Sequence, residues 1–130
     1  MSRMQNNIVL VVDDNPANAD LVSFILAKQG YQVHVAADAA EALAMVTAFS
    51  PQLIMMDLQL PGMDGLTLTR QLKADATTRQ IIVIALTAYA MKGDEQRARE
   101  AGCDGYISKP INTRTLPGII GEYLPVVSEP

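Results

Sequence analysis

The 130-residue chain holds a single cysteine, Cys103, so no internal disulfide can form. A lone thiol fits a reducing compartment, and beside a strand it reads as a packed side chain. The one histidine, His34, sits between Val33 and Val35 and reads as a half-exposed strand position rather than a ligand. No apolar run approaches the ~18 residues that a bilayer span needs. Residues 1–7 are polar and lack the apolar core and small-residue cleavage site of a signal peptide. No run of Lys or Arg occurs, and 10 basic against 14 acidic residues give a net charge of −4. Nucleic acid therefore has no electrostatic footprint to meet. Internal repeats and low-complexity linkers are missing as well. These absences leave one soluble, cytoplasmic domain as the expectation, with 49% hydrophobic residues for its core. The domain should take up residues 1–130, with a core at about 8–124 and a frayed tail at 125–130.

Four apolar runs each end in a polar residue of a different kind. Ile8 to Val12 runs into Asp13 and Asp14, and Leu53 to Met56 runs into Asp57. Ile81 to Leu86 runs into Thr87, and the weaker run from Gly105 to Ser108 meets Lys109 and Pro110. Continuous runs rich in β-branched residues read as strands buried on both faces of a parallel sheet. Ligands of open parallel sheets bind outside the carboxyl ends of the strands. Three acids, a hydroxyl and a lysine should therefore meet at one sheet edge.

Helical patterns separate the strands. Asn15 and Pro16 read as the N-cap and first residue of a helix that Gly30 ends. Ala17, Leu21, Phe24, Ile25 and the Lys28 stem share one face, which would be its buried one. Residues 32–36 form a short strand. Asp38 caps a helix over 39–49 with Ala42, Leu43 and Val46 inward, and Pro51 stops it. A third helix is expected over 66–74 and a charged one over 94–101, between Gly93 and Gly102. The last helix is the weakest. Pro117 inside it would remove a hydrogen bond, so an irregular turn over 113–116 should precede a helix that starts at Pro117. Gly118 and Gly121 lower its helicity by about 1 kcal/mol each, so it depends on burying Leu116, Ile119, Ile120 and Leu124. Five βα units with right-handed crossovers place helices on both faces of the sheet.

Three carboxylates in one place repel, and each would hold its proton more tightly unless a cation offset the charge. Mg²⁺ suits such a site because it accepts one or two carboxylates together with water and phosphate oxygens. Taken singly, Asp13-Asp14 and Asp57 read equally well as capping acids, and Lys109 as a surface charge. Their common position at strand ends is what points to a site.

Four segments together carry a resemblance: Val11-Val12-Asp13-Asp14-Asn15; Met56-Asp57-Leu58-Gln59-Leu60-Pro61-Gly62-Met63-Asp64-Gly65; Ala85-Leu86-Thr87-Ala88; and Gly102 through Pro110. In this order and spacing the chain resembles the receiver domains of two-component response regulators, from Ile8 to about Leu124. The resemblance implies a flavodoxin-like (βα)5 doubly wound sheet with strand order 2-1-3-4-5. It implies that Asp57 is the phosphoacceptor, attacking the phosphohistidine of a sensor histidine kinase or phosphotransfer protein. Asp14 would bind Mg²⁺ directly, Asp13 mainly through water, and Gln59 through its backbone carbonyl. Thr87 would bond one phosphoryl oxygen and Lys109 another, with the Lys109–Pro110 bond cis. Tyr106 would be the switch aromatic. Gln59 and Tyr89, two residues after the acceptor and the threonine, would tune the lifetime of the phosphorylated state. The output would be a downstream protein bound at the fourth helix, fifth strand and fifth helix, with no direct contact to nucleic acid or membrane.

On this reading the chain is a switch that catalyses only its own phosphorylation and dephosphorylation. A receiver module of a hybrid histidine kinase would look the same. A Mg²⁺-dependent aspartyl-phosphate phosphatase would need an Asp-x-Asp pair and a cap insertion, whereas Asp13 and Asp14 are adjacent and no insertion is present. A flavin-binding module of the same topology would need hydroxyls and glycines where this chain is acidic.

Overall fold

A computed structural model describes residues 7–60, 63–87 and 93–125. Strands and helices alternate strictly: β1 (Ile8–Val12), α1 (Pro16–Lys28), β2 (Gln32–Ala36), α2 (Ala39–Phe49), β3 (Leu53–Asp57), α3 (Gly65–Ala74), β4 (Ile82–Thr87), α4 (Asp94–Ala101), β5 (Gly105–Ser108) and α5 (Leu116–Tyr123). The five strands are parallel in the order β2-β1-β3-β4-β5, as expected for a doubly wound flavodoxin-like sheet. β3 is buried at every position, which explains its unbroken apolar run.

Alternate residues of each strand feed two cores. Leu10, Val12, Ile54, Met56, Val83 and Ala85 pack with α2, α3 and Ala98 of α4. Val9, Val11, Leu53, Met55, Ile84 and Leu86 pack with α1 and α5. Cys103 is buried in the first of these, as a packed thiol.

Local signals set most helix ends. The Asn15 side chain accepts the N–H groups of Ala17 and Asn18, and Asp38 accepts that of Glu41. Gly102 closes α4 at φ +109, a conformation that side chains with a Cβ rarely adopt. His34 is half-buried on edge strand β2, its ring stacked on Phe49 at 3.8 Å between centroids.

Two helix faces differ from expectation. α1 buries Ala19, Val22 and Leu26, whereas Leu21 and Phe24 are 43% and 63% exposed. The expected stripe from Ala17 runs i, i+4, i+7 and i+8 and the buried one from Ala19 runs i, i+3 and i+7, both of helical period, so periodicity alone could not choose between them. The buried one puts a small alanine and a branched valine against the close-packed strands. The other leaves Phe24 in solvent beneath the Lys28 ammonium, 5.2 Å from the ring centroid. In α2, Ala39 joins Ala42 and Val46 inward, and Leu43 is exposed.

The last helix follows the expected irregular turn. Asn112 Oδ1 accepts the N–H of Arg114 at 2.9 Å, and α5 then starts at Leu116, placing Pro117 in the first turn, where its missing N–H costs no helix bond. Leu116, Ile120 and Leu124 are buried; Ile119 is only half-buried.

Candidate functional site

The register brings the carboxyl ends of β1, β3, β4 and β5 to one edge. Val12 pairs with Met56, Asp57 with Leu86, and Thr87 with Ser108. The Asp13 N–H still bonds to the Ala36 carbonyl at 3.0 Å, so Asp13 is held at the sheet's rim. The same side-chain turn then occurs at two neighbouring strand ends. Asp13 Oδ1 accepts the Asn15 N–H at 2.9 Å, and Asp57 Oδ1 accepts the Gln59 N–H at 2.9 Å. Each turn fixes one carboxylate oxygen and leaves the other for Lys109. The Lys109 ammonium donates to Asp57 Oδ2 at 3.1 Å and lies 3.6 Å from Asp13 Oδ2. Lys109 is placed by its own N–H, which donates to the Thr87 carbonyl at 2.7 Å, and the Lys109–Pro110 peptide is cis as expected.

Asp13, Asp57 and Thr87 are each only 2% exposed, whereas Asp14 faces solvent. One ligand oxygen from each of Asp13, Asp14 and Asp57 lies within 4.8 Å of the others. Burial pushes the Asp13 carboxyl above its ordinary range and neighbouring Asp57 adds to this, against the Asn15 N–H and the Lys109 ammonium. Three carboxylates thus face one ammonium. An all-oxygen donor set with excess negative charge and one solvent-facing ligand fits a hard divalent cation such as Mg²⁺.

Thr87 ends β4 beside this cluster. Tyr106 on β5 is half-buried against the core of α2, α3 and α4. Gln59 is exposed, two residues beyond Asp57. Tyr89 lies outside the described residues, as does the tail from residue 126. Gly65 was not singled out in the sequence. A Cβ there would stand 2.5 Å from the Asp57 carbonyl oxygen and 3.0 Å from Leu58 Cα, so α3 can begin this close to the acceptor strand only with glycine. Its signal was the turn-rich stretch directly after Asp57.

A family model described as the response regulator receiver domain matches residues 9–120. The chain belongs to this family. Among curated proteins, the receiver is 44% identical over 116 residues to the polar-differentiation response regulator DivK of Brucella ovis, covering 89% of this chain and 94% of that protein. Among solved structures, it superposes on a CheY-like receiver domain protein of Methanospirillum hungatei with a TM-score of 0.83 at 35% identity, covering 90% of this chain and 92% of that one. The receiver domain of a Pseudomonas aeruginosa sensor histidine kinase matches with a TM-score of 0.81 at 33% identity, covering 90% and 96%. That structure has a magnesium ion coordinated in its active-site cleft. A receiver domain of a signal transduction histidine kinase from Syntrophus aciditrophicus matches at 0.83 and 33%, covering 95% and 93%. Of the residues that the family resemblance assigned, Asp13, Asp14, Asp57 and Lys109 lie together and Thr87 ends the neighbouring strand, whereas Tyr106 packs against the core of α2, α3 and α4. Among the described residues, no helix is long and apolar enough to cross a membrane.

Proposed function

We propose that this receiver is a phosphorylation-activated switch that accepts a phosphoryl group from a phosphohistidine onto Asp57. The observation that carries this reading is the buried Asp57 carboxylate, held at Oδ1 by a backbone N–H and at Oδ2 by Lys109, beside two further acids. A carboxylate so placed is a positioned nucleophile, and phosphoryl transfer asks chiefly for positioning and charge stabilisation. An Asp57 oxygen attacks phosphorus, the P–N bond to the donor breaks, and an acyl phosphate forms. Lys109 then pairs with a phosphoryl oxygen. Asp14, Asp57 and the Gln59 carbonyl would hold Mg²⁺ directly, and Asp13 through water. The bound ion supplies neutralisation of the phosphoryl oxygens.

The Thr87 hydroxyl is drawn to the new phosphoryl group, and the space it leaves lets Tyr106 turn inward. The outcome is a population shift in the surface of α4, β5 and α5, which a downstream protein reads. A shallow groove of 270 Å³ lined in part by Tyr106, Ile107, Thr115 and Ile119 lies on this surface. The donor is a sensor histidine kinase or phosphotransfer protein, and the switch works in the cytoplasm without direct contact to nucleic acid or membrane. Gln59 and Tyr89 would tune the lifetime of the acyl phosphate. Tyr89→Ala should speed dephosphorylation; an unchanged rate removes Tyr89 from this role.

The deciding experiment is labelling by acetyl phosphate with and without Mg²⁺. Label should require Mg²⁺ and vanish in Asp57→Asn. Turnover of a generic phosphomonoester well beyond one phosphate per chain would overturn the switch in favour of an enzyme. A second reading, a receiver within a hybrid histidine kinase, draws support from the two histidine-kinase receivers among the similar structures. The length of the gene separates the two.

A further inference from the structure

β2 is an edge strand, paired with β1 alone. Its backbone bonds can be followed one by one. The Gln32 N–H donates to the Asn7 carbonyl at 2.8 Å, and the Ala36 carbonyl accepts the Asp13 N–H at 3.0 Å. In a parallel ladder, alternate residues turn both backbone groups toward the same neighbour. Gln32, His34 and Ala36 therefore bond to β1. Val33 and Val35 turn their N–H and C=O groups outward, where they meet no partner among the described residues. Exposed edges are usually blunted by a charge, a proline or a bulge. β2 has none of these: it reads Gln-Val-His-Val-Ala, and its register with β1 is unbroken through all five residues. Apolar groups stand open on both faces of this edge. Val35 is 36% exposed, and Phe49, 40% exposed, stacks on the His34 ring.

We infer that β2 pairs antiparallel with β2 of a second copy of this chain, about a two-fold axis at His34. The strand is self-complementary in that arrangement. Val33 lies opposite Val35 of the second copy, and the two exchange a pair of N–H···O bonds; the same pair recurs across the axis. These bonds use every outward N–H and C=O of both valines. His34 meets its own copy at the non-hydrogen-bonded position between them, its backbone groups still given to β1. The valines meet on the α1 face of the sheet, and the two His34–Phe49 stacks stand side by side on the α2 face. No residue of the strand is charged, so a second copy meets no like charge, and a charged strand of another protein finds no counter-charge. Two five-stranded sheets thus join into one of ten strands. A two-fold contact closes on itself, so the product is a dimer and not a filament. The two acceptor edges point in opposite directions, and the surfaces of α4, β5 and α5 lie at the far ends. Both stay free, and the inference stands apart from the role of Asp57.

An interface this small is a transient one, so the mass is followed with concentration. In sedimentation equilibrium the full chain should move from 14.0 kDa toward twice that mass between about 10 µM and about 1 mM. Val35→Lys puts an ammonium on the edge at a side chain already open to solvent, and should hold the chain at 14.0 kDa throughout. Register is read by cross-linking under oxidised glutathione in a Cys103→Ala background. His34→Cys sets the new thiol against its own copy and should give a disulfide-linked dimer. Gln32→Cys lies on the same face but opposite Ala36 of the second copy, far from its own, and should not cross-link. A chain that stays at 14.0 kDa at every concentration overturns the inference. So does a dimer that survives Val35→Lys, or one in which Gln32→Cys cross-links as well as His34→Cys.

Discussion

Replacing Asp13 with Asn should stabilise the metal-free receiver while removing most of its response to Mg²⁺. Asp13 is buried, and one of its carboxylate oxygens lies within 4.8 Å of a carboxylate oxygen of each of Asp14 and Asp57. At an effective dielectric constant of about 20, two unit charges at that distance repel by about 3.5 kcal/mol. The Lys109 ammonium, 3.6 Å away, returns about 4.6 kcal/mol on the same scale. Two repulsions thus outweigh one attraction by about 2 kcal/mol, and the burial of Asp13 acts in the same direction. Solvent screens the share of exposed Asp14, which leaves an expected gain of about 1–2 kcal/mol. Asn keeps the acceptor that holds the Asn15 N–H at 2.9 Å, so the local turn survives. For a chain of this size the gain corresponds to a melting temperature higher by about 3–8 °C. Mg²⁺ at ten times its dissociation constant should stabilise the unsubstituted receiver by about 1.4 kcal/mol, and the variant by far less. Differential scanning calorimetry in EDTA and across a Mg²⁺ series reads both effects. An Asp13→Asn variant that melts lower in EDTA would show that the Lys109 pair, not carboxylate repulsion, dominates the cluster. Equal Mg²⁺ shifts in both proteins would remove Asp13 from the metal site.

Gly65→Ala should cost about 1–3 kcal/mol in denaturant unfolding and slow Asp57 labelling, because the new Cβ meets the Asp57 carbonyl at 2.5 Å; wild-type stability would mean that α3 shifts freely. The two faces of α1 should respond oppositely to truncation: Leu26→Ala should lose about 2–5 kcal/mol, and Phe24→Ala no more than about 0.5 kcal/mol. Comparable losses at both positions would reverse the assignment of the buried face. Burial holds the Cys103 thiol above its ordinary 9.0, so in alkaline solution the folded chain keeps a proton that the unfolded chain has released. Stability should fall as pH rises from about 9 toward the higher folded value, by at most about 1.4 kcal/mol per pH unit, and Cys103→Ala should flatten that part of the profile. An identical slope in the variant would place the alkaline loss elsewhere.

The strand ends were legible in the sequence because burial on both faces leaves no alternation to interpret. An unbroken apolar run such as Leu53 to Met56 has one reading, and the polar residue that stops it marks the sheet's rim. The caps at Asn15 and Asp38 were legible because a short polar side chain before an apolar pattern satisfies a local need. The buried face of α1 was not. Leu21 and Phe24 are more apolar than Ala19, and only the tertiary fit of a small residue against β1 decides between the stripes. Gly65 was overlooked for a related reason: its importance lies in a contact with Asp57, eight residues earlier, that forms only when the loop folds back. The exposed stripe that broke the prediction for α1 also supplies Leu21 to a cleft beside Lys109.

The period-two geometry of β5 gives the proposed switch its direction. Tyr106 packs with the core of α2, α3 and α4, while its neighbour Ile107 packs with that of α1 and α5. Thr87 pairs with Ser108 at the rim, and two residues back Ala85 pairs with Tyr106. Ala85 is fully buried and shares the Tyr106 core, so the residue directly across from the ring is the smallest that keeps a strand packed. A larger side chain at that place would hold the ring by contact. With alanine there, the ring packs against the wider core of α2, α3 and α4. On the proposed reading, a displacement of the Thr87 side chain would pass first to the layer of α2, α3 and α4, against which Tyr106 packs.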